Sequence, residues 1–340
     1  MQKWEQIQGV YIHTPFCLQK CLYCDFASYA GADTETMEKY VDAVCSEIMM
    51  RSNEVTIADQ ATLYFGGGTP SLLSEKLLAK LVEALQKNGC WLQPAEATIE
   101  VNPGTADLDK LRFFKDLGFD RISFGVQSLN DAELWAVGRI HTANEALDAI
   151  TMAEKAGFTR VSADLIYGLP EQSLQTLKTS LQNLTAAGLQ HLSVYGLTIE
   201  KNTPLAGMLD KGKVELPDED CQLAMYELVQ EYLEAQGLHR YEISNYAVSG
   251  QESRHNLVYW HYLPYLSFGS SACSFNGSQR FTATDSVTDY IESIQSGKSC
   301  GGFEDLTKEM QLSEYLFMGL RTTVGIDLIE TEQRFGCDVM

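Results

Sequence analysis

Three cysteines, Cys17, Cys21 and Cys24, stand together in the stretch PFCLQKCLYCDF. Thiolates are soft, strong donors that suit zinc or iron–sulfur clusters. Their number narrows the choice. Structural zinc takes four protein ligands, commonly as paired knuckles, whereas a four-iron cluster on three thiolates keeps one iron open for another ligand. No Cys or His follows Cys24 at knuckle spacing, and His13, ahead of the loop, reads as a residue packed behind it. The spacing therefore favours iron–sulfur over zinc. The other six cysteines, Cys45, Cys90, Cys221, Cys273, Cys300 and Cys337, lie far apart and read as buried small hydrophobes or surface thiols.

The elements that must position these thiolates show in the alternation of β-rich and amphipathic runs. Strands are expected at Gly9 to His13, Ala61 to Phe65, Glu96 to Val101, Arg121 to Gly125, Arg160 to Tyr167 and His191 to Leu197. Helices fall between them: Thr34 to Arg51, Ser74 to Lys87, Asp107 to Leu117, two stretches between Asp131 and Ala156, and Ser173 to Ala187. Strands joined through helices run parallel by right-handed crossovers, giving a barrel-like or a doubly wound α/β domain, and periodicity does not choose between them. Ligands in such folds collect at the carboxyl ends of the strands. The cysteine loop leaves the first strand at that end, and Gly66, Gly67 and Gly68 with Thr69 leave the second, where missing side chains let backbone approach a ligand. Glu100 ends the third strand, Gln127 and Arg139 follow the fourth, and Asp164 lies on the fifth. After about residue 200 the rhythm changes. Pro217 to Leu238 and Asp305 to Arg321 read as helices, and Arg240 to Phe275 is rich in Tyr, Trp, Asn, Gly and Ser with little periodicity.

Composition excludes several classes of function. The 340 residues are 45% hydrophobic and 21% charged, enough apolar matter for a substantial core and about two domains. No uninterrupted apolar run is long enough for a membrane span, and MQKWEQIQGV does not read as a secretory signal, so a cytoplasmic protein is expected. A net charge of −21 argues against a nucleic-acid backbone as partner.

C-x3-C-x2-C after a first strand resembles the signature of the radical SAM enzymes. Together with YFGGGTPS, EVNPG, RISFGVQSL, GRIHTANEA, DLIYGLP, RYEISNYA and RHNLVYW, it resembles the oxygen-independent coproporphyrinogen III oxidase group, in particular its HemW-type haem chaperones, from Tyr11 to about Arg321. The resemblance implies an α/β fold: a partial (β/α)6 TIM-like barrel over residues 1–235 and a smaller, mainly helical C-terminal domain over 236–340. It implies a 4Fe-4S cluster on Cys17, Cys21 and Cys24, whose open iron binds S-adenosylmethionine and, on reduction, cleaves it to a 5'-deoxyadenosyl radical. Gly67, Gly68 and Thr69 would hold the methionine amino group. Glu100, Gln127, Arg139 and Asp164 would contact its carboxylate, ribose or neighbouring groups. Tyr11 and Tyr23 would seat the cofactor, and Gly196 would lie beside its adenosine.

RHNLVYW matches the HNxxYW pattern of the chaperones and makes His255 the expected haem-contacting residue, with Tyr and Trp rings for the macrocycle and Arg254 for a propionate. True coproporphyrinogen dehydrogenases in this group carry a fourth cysteine where this chain has Phe26, and a longer segment ahead of the motif. The expected function is therefore haem delivery to acceptor haemoproteins, with a flavodoxin- or ferredoxin-like electron donor and a homodimer left open. The alternative is an oxidoreductase acting on coproporphyrinogen III or another porphyrin-like substrate. One departure is YLSFGSSACSF, where relatives usually carry a GFGPGAHS-like sequence, with Cys273 in place of a histidine.

Overall fold

The computed structural model describes residues 4–91 and 93–336; Cys337 lies outside them. The six expected strands are β1 (Trp4–Thr14), β2 (Val55–Gly67), β3 (Ala97–Val101), β4 (Arg121–Gln127), β5 (Arg160–Tyr167) and β6 (His191–Gly196). Each pairs in parallel with the next, in registers such as Ile12 with Phe65, Phe65 with Ile99, Ile99 with Ile122, Phe124 with Ala163 and Leu165 with Val194. The crossovers are α1 (Thr34–Arg51), α2 (Glu75–Lys87), α3 (Leu108–Asp116), α4 (Asp131–Ala136) with α5 (Ala143–Lys155), and α6 (Leu174–Ala186). Local chemistry starts them: Asp33, Ser74, Asp107, Asn130, Thr142 and Ser173 each cap a helix by accepting a backbone N–H within its first turn. Each then presents an apolar stripe to the sheet, as Leu77, Leu78, Leu81, Val82 and Leu85 do on α2.

The six strands form an arc. The first two run longer than expected because Trp4 and Ile7 pair with Val55 and Ile57 through register shifts that hide the alternation. After α7 (Pro204–Leu209) and α8 (Glu219–Ala235), the boundary expected at 235/236 falls at the end of α8, but the sheet continues across it. β8 (Asn245–Ala247) adds antiparallel to β6, and β7 (His239–Arg240) adds antiparallel to β8 at the sheet edge. β9 (Tyr265–Phe268) adds parallel to β1, followed by β10 (Cys273–Phe275), β11 (Gln279–Ala283) and β12 (Gly301–Asp305) in antiparallel order. Helices α9 (Arg254–Trp260), α10 (Val287–Gln295), α11 (Lys308–Gly319) and α12 (Leu328–Phe335) pack around these strands. The segment Arg240 to Phe275, which shows little periodicity, thus holds β8, α9, β9 and β10, each too short for a period to emerge.

One buried carboxylate ties the C-terminal region to the barrel. Glu47, on α1 and 1% exposed, accepts from Arg51 Nη1 at 2.8 Å, Gly269 N at 3.0 Å and Tyr290 Oη at 2.6 Å. Arg51 lies over Phe268 and Phe281 and donates to Ser267 O. Glu47→Ala leaves that guanidinium without its charged partner and the Tyr290 hydroxyl without its acceptor, so unfolding should become easier by about 3–5 kcal/mol, read as a lower urea midpoint.

Candidate functional site

The carboxyl ends of β1 to β6 surround a cavity of about 370 Å³. Cys17, Cys21, Tyr23, Cys24, Gly67, Gly68, Thr69, Glu100, Gln127, Arg139, Asp164 and Gly196 all line it. The three cysteines are half-buried and free, and each meets a polar group: Thr69 Oγ1 donates to Cys17 Sγ at 3.6 Å, Arg139 Nη1 to Cys21 Sγ at 3.5 Å, and Ser28 Oγ lies 3.9 Å from Cys24 Sγ. Burial pushes the Cys17 and Cys24 thiols up, opposed by those hydroxyls and, at Cys17, by the Arg139 charge.

The glycines after β2 serve the chain itself as well as the cavity. A Cβ on Gly66 would sit 2.8 Å from the Tyr64 ring, one on Gly67 2.6 Å from the His13 ring, and one on Gly68 2.7 Å from Phe16 O. Gly68 N also donates to Thr14 O, drawing the end of β2 against the backbone that leads into the cysteines. Here Gly67 has a φ of +110°, where a side chain would be strained.

The acidic groups sit deeper. The Glu100 carboxyl accepts from Tyr64 Oη at 2.7 Å and Gly67 N at 3.2 Å, and burial, with Asp164 nearby, pushes it up to about 7. Asp164 is likewise raised, chiefly by burial, with Ser123 Oγ donating to it at 3.4 Å. Gln127 ends β4 with a φ of +66° after an irregularity in pairing, and so turns into the cavity wall. Arg139 donates to Asn102 Oδ1 at 2.8 Å and to Gly125 O, and its Nε is buried without a partner. Asn102, Ser28, Ser123 and Tyr195 also line the cavity and are not among the residues expected from the sequence. For Asn102 the available signal was its place two residues after Glu100, the spacing of one strand face.

Two expected residues are placed elsewhere. Tyr11 does not line the cavity; its ring packs inside the barrel against Tyr64, and its hydroxyl lies 3.1 Å from His13 Nδ1. His255 is at the opposite end. It is 1% exposed beneath the amino ends of β1 and β2, with Nδ1 2.7 Å from Thr62 Oγ1 and Nε2 2.8 Å from Tyr259 Oη. A Cβ on Gly9 would come within 3.2 Å of its ring. Both nitrogens are engaged, and burial lowers its pKa to about 3. Among its neighbours, Arg254 Nη1 donates to Ala95 O at the surface, and Trp260 stacks under the Arg321 guanidinium at 4.4 Å. The N–H groups of Arg254 and His255 donate to the buried Glu96 carboxylate, which also pairs with Arg160 at 2.8 Å. RHNLVYW therefore packs at the barrel floor, with both ring nitrogens of His255 hydrogen-bonded within the protein.

The sequence pattern of the Radical SAM superfamily matches residues 11–184, which span the cysteine loop and β1 through β5. The heme chaperone HemW of Bacillus subtilis is 35% identical over 97% of this chain and 87% of its own length, and that of Synechocystis is 37% identical over 94% and 79%. The fold is that of the radical SAM enzyme coproporphyrinogen III oxidase (HemN) from Escherichia coli, with a TM-score of 0.85 and 23% identity over 99% of this chain and 80% of that one. The chain belongs to the radical SAM superfamily and, within it, to the HemW family.

The family implies a 4Fe-4S cluster and S-adenosylmethionine, and the cavity fits both. Three half-buried thiolates at one rim suit a cluster with an open iron. Beyond them lie two buried carboxyls for cationic groups, and an arginine with an unmet donor for an anionic one.

Two outcomes follow from this geometry. The folded Glu100 carboxyl holds its proton up to about pH 7 against about 4.5 unfolded, so its burial destabilises the chain above pH 7 and ceases to do so as pH falls toward 4.5. Compared with Glu100→Gln, the wild type should lose up to about 3 kcal/mol as pH rises through this window, measured by urea denaturation at pH 5 and 8. His255→Ala, which leaves the Tyr259 hydroxyl unpaired and Thr62 with only its Gln8 carbonyl, should cost about 1–3 kcal/mol of stability. The absorbance spectrum of any haem the folded protein binds should not change.

Proposed function

We propose that this protein is a cytoplasmic haem chaperone that holds a 4Fe-4S cluster on Cys17, Cys21 and Cys24, binds S-adenosylmethionine in the adjoining cavity and delivers haem to acceptor haemoproteins. The observation that carries this reading is near full-length similarity to proteins named as HemW haem chaperones, with the cysteine triad at the mouth of the matching barrel. When bound, the cluster would supply an electron to S-adenosylmethionine through its open iron.

The chain's own residues divide the remaining work. Thr69, Arg139 and Ser28 meet the three thiolates; Glu100 and Asp164 offer carboxyls to cationic parts of the ligand, while Gln127 and Gly196 shape the wall. Phe26, where the porphyrinogen oxidases of the resemblance carry a fourth cysteine, is 66% exposed at the rim, which favours haem carriage over porphyrinogen decarboxylation. An electron donor of flavodoxin or ferredoxin type would approach the same rim, where Lys20 lies in the cysteine loop with its ammonium on Phe26 O.

Anaerobic reconstitution with iron and sulfide followed by haem titration tests the proposal. The wild type should take up about four irons, bind S-adenosylmethionine and bind haem stoichiometrically, and Cys→Ala at 17, 21 or 24 should abolish the cluster. A clustered protein that binds no haem, or that converts coproporphyrinogen III, would overturn it.

A further inference from the structure

We propose that Asn102 is a positioning residue that sets the hydrogen bonds received by two of the cluster thiolates. Its amide bridges their two donors. Arg139 Nη2 donates to Asn102 Oδ1 at 2.8 Å, and Asn102 Nδ2 donates to Thr69 Oγ1 at 2.8 Å. Beyond the bridge, Arg139 Nη1 reaches Cys21 Sγ at 3.5 Å and Thr69 Oγ1 reaches Cys17 Sγ at 3.6 Å. The result is one continuous path from Cys21 through Arg139, Asn102 and Thr69 to Cys17.

The direction of every bond on the path is dictated by chemistry. A guanidinium only donates, so the amide must turn its oxygen to Arg139 and its nitrogen to Thr69. The Thr69 oxygen then accepts, and its single hydroxyl hydrogen is left for Cys17. Thr69 is 2% exposed, which leaves little room for water beside that hydrogen. The surrounding backbone keeps the amide in place: a Cβ on Gly125 would come within 2.6 Å of Asn102 Oδ1. Hydrogen bonds to cluster sulfurs raise the reduction potential, so a residue that orients two of them acts on the cluster without touching it.

The inference rests on the cluster assigned above, and wild-type iron and sulfide content tests that assignment separately. The decisive measurement is the cluster's midpoint potential, followed by electron paramagnetic resonance, in wild type, Thr69→Val, Asn102→Asp, Asn102→Leu and the two double variants. Asn102→Asp still accepts from Arg139 but cannot donate to Thr69, whose hydrogen then turns to the carboxylate and away from Cys17. Asn102→Leu removes the same donor without adding charge, and stands in where the aspartate variant does not fold. Thr69→Val should move the potential to a more negative value in the wild-type background. In either Asn102 background its shift should be less than about half as large, because the two residues act on one path. Equal shifts of the potential in all backgrounds, or none in any, would overturn the proposal.

Discussion

A guanidinium buried at a barrel mouth must be given acceptors, because an unpaired charge out of water costs several kcal/mol. Arg139 is that group, and much of the site is arranged around it. Its acceptors come from three separate elements: the Gly125 carbonyl in β4, the Asn102 amide after β3, and the Cys21 sulfur in the loop after β1. Satisfying one side chain therefore fixes the cysteine loop against two strand ends, and the burial that makes Arg139 expensive to leave unpaired also makes its charge effective on a thiolate.

The barrel interior below this mouth is polar and filled. Tyr64 reaches up to Glu100, Tyr11 reaches His13, and the rings of Tyr11 and Tyr64 stack with His255 at centroid distances of 6.4 and 5.0 Å. Further down, Glu96 receives the first N–H groups of α9 and pairs with Arg160, while Arg121 and His191 share the same buried layer. An arc of six strands leaves its amino end open, and α9 closes it. With the floor plugged by hydrogen-bonded side chains, the mouth is the end through which ligands reach the interior.

This arrangement explains what could be read from the chain. The thiolate triad, the glycine run and the strand-end residues Glu100, Gln127 and Asp164 were legible because a parallel α/β sheet gathers whatever leaves the carboxyl ends of its strands. Strands β3 to β6 were legible from their periodicity for the same reason. The placement of His255 was not legible, since a histidine between Arg254 and Asn256 in an aromatic-rich stretch reads equally as a metal ligand or as a packed imidazole. Its partners Thr62 and Tyr259 place it at the barrel floor, and Thr62 is 193 residues away. Asn102 escaped because an asparagine before Pro-Gly reads as a turn. The strands β8 to β10 escaped because three or four residues cannot show a period.

The charge balance of the mouth accounts for the kind of ligand it can take. Burial pushes Glu100 up to about 7 and raises Asp164 from its ordinary value, so ionising them in the ligand-free site is costly. A cationic amino or sulfonium group brought beside them favours the ionised form and offsets that cost. For a carboxyl displaced from 4.5 to about 7, the energy involved is about 3 kcal/mol. A carboxylate on the same ligand would meet Arg139, the one guanidinium among the described residues of the cavity wall. A zwitterion with an added positive charge thus matches the site group by group, whereas a plain anion would meet two buried acids and three thiolates.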